Sequence, residues 1–185
     1  MKYIFDFDDV LFYTTRHRKE HLLPLLIKAG VSEEAMMKYY QKTRLEGFSL
    51  RAMITHFLSD GNTDQEKLYE EIMGESKNFI NTKLIEVVKK LGKENCFLIT
   101  HGGKEFQKDK IKRAGIAPLF SEIIILIGSK KKVVEAICEK YKYKEVIFVD
   151  DKPKYFNDLD YEKYQNLKTI LYTGQDLSRL TNSVL

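Results

Sequence analysis

Five short stretches of the chain are apolar at consecutive positions instead of alternating with polar ones: residues 3–5, 96–100, 123–127, 146–150 and 169–172. Runs of this length, rich in β-branched and aromatic types, predict parallel strands covered on both faces. Between them the apolar spacing turns helical. Leu84, Ile85, Val87, Val88 and Leu91 repeat on one face of a helix over 82–91, and Val133, Val134, Ile137 and Cys138 do so over 131–141. A third helix is expected over 104–114. Gly92 and Gly115 stand where helix stops fall. The sum is a βα alternation, which predicts an α/β fold with a doubly wound, Rossmann-like, five-stranded parallel sheet.

Residues 13–77 break the alternation with helical pieces only. A helix is expected over 20–29, ending at Gly30, and another from Ser32, with Glu33 and Glu34 in its first turn, to about Leu45. Segments 49–58 and 64–73 follow, divided by the turn Ser59-Asp60-Gly61-Asn62. The chain therefore divides into an α/β core, 1–12 with 78–185, and a small all-helical cap, 13–77, inserted after the first strand.

Composition narrows the class. At 185 residues, 43% hydrophobic and 31% charged, the chain suits one core with a modest insertion. A net charge of +4 fits an anionic substrate or a soluble surface, and is too small to argue for nucleic acid. Cys96 and Cys138 lie within apolar runs, which predicts buried, reduced thiols; a disulfide between them is the competing reading. The first apolar run is too short for a signal peptide and no run could span a bilayer, so a cytoplasmic location is expected.

Four strand ends carry chemistry. Residues 3–5 lead into Asp6-Phe7-Asp8-Asp9, a cluster of carboxylates at the edge where open α/β sheets place their sites. Such a cluster needs a counter-charge, most simply a divalent cation held by oxygen. Thr100-His101-Gly102-Gly103 offers a hydroxyl and backbone N–H groups to an oxyanion. Lys130, Lys131 and Lys132 open a helix against its dipole, a cost that a bound anion would offset. Asp150-Asp151 ends a second acidic strand, which would repel the first without a cation between them.

These four elements, in this order, resemble the haloacid dehalogenase-like (HAD) hydrolase superfamily, and the cap placement resembles its C1-cap phosphatase type. His101 departs from the Asn or Ser common at its position there. The resemblance implies a Mg²⁺-dependent phosphatase acting on a small phosphate monoester through an aspartyl-phosphate. Asp6 would be the nucleophile and Asp8 the general acid and base. Thr100, His101 and Lys130 (or Lys131) would hold the phosphoryl oxygens. Asp6, the Asp8 main-chain carbonyl and Asp150 or Asp151 would hold Mg²⁺. Asp9 is expected to hydrogen-bond locally at its turn, and Asp158 is a weaker acidic candidate.

The implied partner is a small phosphorylated metabolite, a sugar phosphate or nucleotide, with no membrane. A carboxylate at Asp8 disfavours dehalogenase and phosphonatase chemistry. The alternatives are a phosphosugar mutase, a nucleic-acid end phosphatase, or a non-catalytic protein that binds a phosphorylated ligand or a partner. Arg16, His17, Arg18, Lys19, Arg44, Arg51 and His56 are candidates to face substrate, with a solvated helix face as the plainer reading. Tyr39, Tyr40, Met53, Ile54 and Phe57 read as cap core.

Overall fold

Apolar runs become strands here because both faces of the sheet are covered. In the computed structural model, which describes residues 1–59 and 61–174, five strands pair in parallel in the order β3-β2-β1-β4-β5. They are β1 (Lys2–Phe5), β2 (Cys96–His101), β3 (Glu122–Leu126), β4 (Val146–Asp150) and β5 (Leu167–Leu171). Side chains alternate between faces along each strand. Phe5, Leu98 and Val149 join Leu84, Val88 and Ile111 in one apolar cluster, while Ile4, Ile99 and Phe148 join Val134 and Ile137 in another. Strands β1 and β4 are buried throughout. β3 and β5 form the sheet edges, so the two-sided cover expected of their runs is only partial.

The helices begin at side-chain caps. Ser32, Ser49, Asp64 and Asn81 each accept a backbone N–H of the first turn of α3 (Glu33–Thr43), α4 (Leu50–Phe57), α5 (Gln65–Gly74) and α6 (Thr82–Leu91). The first helical stretch starts earlier than its apolar spacing predicts. It runs from α1 (Thr14–His17) through a π-helical turn (Arg18–Leu22) into α2 (Leu23–Lys28). Pro24 cannot donate to the carbonyl one turn back, and the widened turn lies directly before it. The core helices α7 (Lys104–Ala114) and α8 (Lys131–Lys140) follow β2 and β3.

The chain leaves the sheet and returns at one place. Phe12 bridges Ile80, the Tyr13 N–H donates to the Phe79 carbonyl, and the Asn81 N–H donates to that of Leu11. Between these points Leu26, Met36, Leu50, Ile54 and Ile72 form an apolar cluster distinct from the two on the sheet. Asp60 of the expected 59–62 turn, and residues 175–185 of the expected core, lie outside the described residues. Cys96 and Cys138 are buried free thiols, so no disulfide joins them. No helix among the described residues is long and apolar enough to cross a membrane.

Candidate active site

Strand register decides which side chains meet. Phe5 lies opposite Val149 on β4 and Leu98 on β2, and the Asp6 N–H donates to the Val149 carbonyl at 2.9 Å. Asp6 and Asp150, one residue past these pairs, and Thr100, two past, therefore share one edge of the sheet. β3 pairs Thr100 with Ile125, so its following loop brings Ser129 and Lys130 to the same edge.

Asp6 and Asp150 are both buried, and between them lies the ammonium of Lys130, itself 1% exposed. Its Nζ is 2.6 Å from Asp6 Oδ1 and 2.6 Å from Asp150 Oδ2. The counter-charge that the two acidic strand ends require is thus supplied in part by a lysine of this chain. Asp6 Oδ2 has no hydrogen-bond donor among the described residues. Burial raises the Asp6 pKa above the ordinary carboxylate range; Lys130 pulls it down, and the charges of Asp150 and Asp8 push it up. Lys131, the alternative lysine, instead pairs with Glu135 and the Asp158 carbonyl near the surface.

Asp8 lies in a second buried ion pair. Its Oδ1 accepts from Lys110 Nζ at 2.5 Å and from the Thr14 hydroxyl, and its Oδ2 accepts from Gln107 Nε2 at 2.5 Å. Burial alone would raise its pKa. The Lys110 charge and the bonds from Lys110, Thr14 and Gln107 outweigh that and hold it down at about 2. Asp9, at φ 58°, accepts from the Thr15 N–H and hydroxyl, the local turn expected of it. Asx residues tolerate this left-handed backbone better than most.

The second strand end departs from expectation. Thr100 is fully buried and its hydroxyl accepts from Gln107 Nε2 at 3.2 Å, while the Gly102 N–H donates to the Leu126 carbonyl. That N–H is therefore not free for an oxyanion. Gly103 has a different constraint: a side chain there would collide with the Phe48 carbonyl of the helical insertion.

Three carboxylates suit a hard cation. Asp6, Asp150 and Asp151 each present an oxygen, all within 4.8 Å of one another. Lys130 and Lys152, whose Nζ is 3.2 Å from Asp151 Oδ1, offset only part of their charge.

This edge opens into a cavity of about 630 Å³. Asp6, Asp8, His101, Lys130, Lys152 and Asp158 line its sheet end, whereas Thr100 does not reach it. Arg18, Arg44, Tyr40 and Met53 line the opposite end. The other candidates lie elsewhere. Arg16 pairs with Glu20, buried His17 bonds the Ile72 carbonyl, Arg51 pairs with Glu66, and His56 packs edge-on to Phe57 and tilted against Tyr39. Lys110 and Gln107 were not anticipated. Their signal was their place on α7, where Gln107, Lys110, Ile111 and Ala114 form the buried stripe at helical spacing.

A family model described as haloacid dehalogenase-like hydrolase matches residues 3–171. No curated protein matches the chain. Among solved structures, a protein described as a haloacid dehalogenase-like hydrolase from Burkholderia xenovorans superimposes with TM-score 0.69 at 18% identity, over 90% of this chain and 79% of that one. A HAD-family enzyme from Bacteroides thetaiotaomicron, solved as an aspartate-to-alanine mutant with magnesium and inorganic phosphate, gives 0.61 at 18% over 97% of each chain. A protein described as a β-phosphoglucomutase from Thermotoga maritima gives 0.55 at 13%, over 99% of this chain and 91% of that one. At these identities the likeness is one of fold.

Proposed function

From the premise that the chain belongs to the haloacid dehalogenase-like hydrolase family, we propose that it is a Mg²⁺-dependent phosphatase of the C1-cap type, with residues 13–77 as the cap. The observation that carries this reading is Asp6 at the end of β1, one carboxylate oxygen held by Lys130 at 2.6 Å, facing a cavity of about 630 Å³.

Asp6 Oδ2 attacks phosphorus as the ester P–O bond breaks, and the alcohol leaves with a proton from Asp8. Water then cleaves the aspartyl-phosphate to free phosphate, so one hard displacement is divided into two easier ones. Lys130 orients the nucleophile and lies where its charge also reaches phosphoryl oxygens. Asp8, ionised and fixed by Lys110, Thr14 and Gln107, is suited to take a proton from the hydrolytic water. Its acid half-step needs a proton, and an arriving phosphoryl dianion raises its pKa by like-charge repulsion. Thr100 supports the site through Gln107, and His101 and the loop at Gly103 border the phosphoryl group. Asp6, Asp150 and Asp151, with the Asp8 carbonyl, would hold Mg²⁺, which supplies charge neutralisation to the phosphoryl oxygens.

The test is phosphate release from a panel of monoesters with Mg²⁺ or chelator, for wild type and Asp6→Asn. The reading requires release that depends on both the ion and Asp6. Turnover of a sugar monophosphate to an isomer without release would favour a mutase instead.

A further inference from the structure

The cavity is too large and too apolar at one end for a phosphoryl group alone. Its volume, about 630 Å³, lies within the roughly 300–1,000 Å³ of sites that enclose sizeable organic ligands. Much of its wall is apolar: Leu22, Met36, Met37 and Met53 of the helical insertion, with Phe48, which borders Gly103, and Phe106, whose ring lies 5.4 Å from Lys110 Nζ. None of these side chains offers a hydrogen bond of ordinary strength, so a polyol placed there would lose its bonds to water without replacement. An apolar or aromatic body would meet soft, adaptable thioethers and ring faces.

Two arginines, Arg18 and Arg44, interrupt this wall. Arg18 rises from the π-helical turn and is half-buried. Among the described residues its buried Nε has no hydrogen-bond acceptor, and its Nη1 meets the Met37 sulfur, a weak acceptor, at 3.8 Å. Arg16, Arg51 and Arg113 each pair with a glutamate, whereas Arg18 and Arg44 have no carboxylate partner among the described residues. Arg44 ends α3, two turns beyond Met37 on the same face, and also lines the cavity. A guanidinium group lining an open cavity without a carboxylate partner among the described residues is suited to a ligand anion.

Building on the phosphatase reading, we propose that the substrate is an amphiphilic phosphate monoester. Its leaving group carries an apolar body, packed on the methionines and on Phe48 and Phe106, and a second anionic group that Arg18 binds, with Arg44 at the rim. The second anion is a carboxylate or a phosphate; the guanidinium fork accepts either.

The test uses hexyl phosphate, its ω-carboxylate and ω-phosphate analogues, and glycerol phosphate as the polar control. Dissociation constants are read by calorimetry with Mg²⁺ on Asp6→Asn protein, with and without Arg18→Ala, and kcat/KM on the Asp6-intact forms. The ω-anionic esters should bind about tenfold or more tighter than hexyl phosphate, the scale of one charge-assisted hydrogen bond. Hexyl phosphate should in turn bind more tightly than glycerol phosphate. Arg18→Ala should erase the first preference and keep the second, and Arg18→Lys should restore part of the first. The two ω-analogues tell which anion is preferred. Equal binding of hexyl and glycerol phosphates, or an anion preference absent or untouched by Arg18→Ala, would overturn the inference. Phosphate release reports separately: binding preferences without release from any ester would sink only the hydrolase reading.

Discussion

The two ends of the cavity are built on opposite principles. At the sheet edge every buried charge has a partner: Lys130 lies between Asp6 and Asp150, and Lys110 lies against Asp8. At the end formed by the helical insertion the wall is largely apolar, and the guanidiniums of Arg18 and Arg44 in it have no carboxylate partner among the described residues. Parallel register helps fix the first end, because Asp6 and Asp150 each sit one residue past the paired Phe5 and Val149. The second end rests on helices with an apolar cluster of their own. In the proposed reading the sheet holds the groups that make and break bonds, and the helical insertion recognises the rest of the substrate.

The sharpest way to break this contrast is Lys130→Met. It leaves Asp6 and Asp150 adjacent and buried without their cation, and the expected loss is about 3–5 kcal/mol of stability, with hydrolysis abolished. Urea unfolding and phosphate release read the two effects. Lys110→Met should cost less, about 2–3 kcal/mol, because Asp8 keeps Thr14 and Gln107 and is partly open to the cavity. A loss as large as that of Lys130→Met would mean the two pairs are equally enclosed.

The smallest effect lies where the helical insertion begins, in α1. His17 is buried against Phe12 and Phe79, and burial, with minor opposition from its bond to the Ile72 carbonyl, lowers its pKa from 6.5 to about 4. Between those values the unfolded chain binds the proton and the folded one does not. Stability is therefore full above pH 6.5 and falls as pH drops toward 4. The expected loss is about 2 kcal/mol between pH 7 and pH 5, and the part due to this residue should vanish in His17→Gln. Denaturant midpoints at the two pH values measure it.

What was legible in the chain followed from local pattern. Strand β4 at Val146–Asp150 and the helices Thr82–Leu91 and Lys104–Ala114 have the bounds their apolar spacing predicts. Ser32, Ser49 and Asp64 mark the cap helices because a side-chain cap acts within one turn. The strand ends that carry Asp6, Asp150 and Lys130 were legible for the same reason. The partnerships were not: Lys110 is 102 residues from Asp8, and Lys130 is 124 from Asp6. Spacing along the chain cannot reveal that the charge balancing two carboxylates is a lysine, or that Thr100 turns to Gln107 and away from the cavity. Polar residues on the buried stripe of α7 were the one local trace of that network. Arg18 shares one motif with Arg16 and Lys19 in the sequence, and only the fold separates it from them by placing it in the cavity wall.

The most direct measurement is Mg²⁺-dependent phosphate release by wild type and Asp6→Asn across an ester panel that includes the ω-anionic amphiphiles. Hydrolysis by wild type that disappears with chelator and with the substitution is the expected result. Hydrolysis that persists in folded Asp6→Asn protein would contradict a nucleophile at the end of β1.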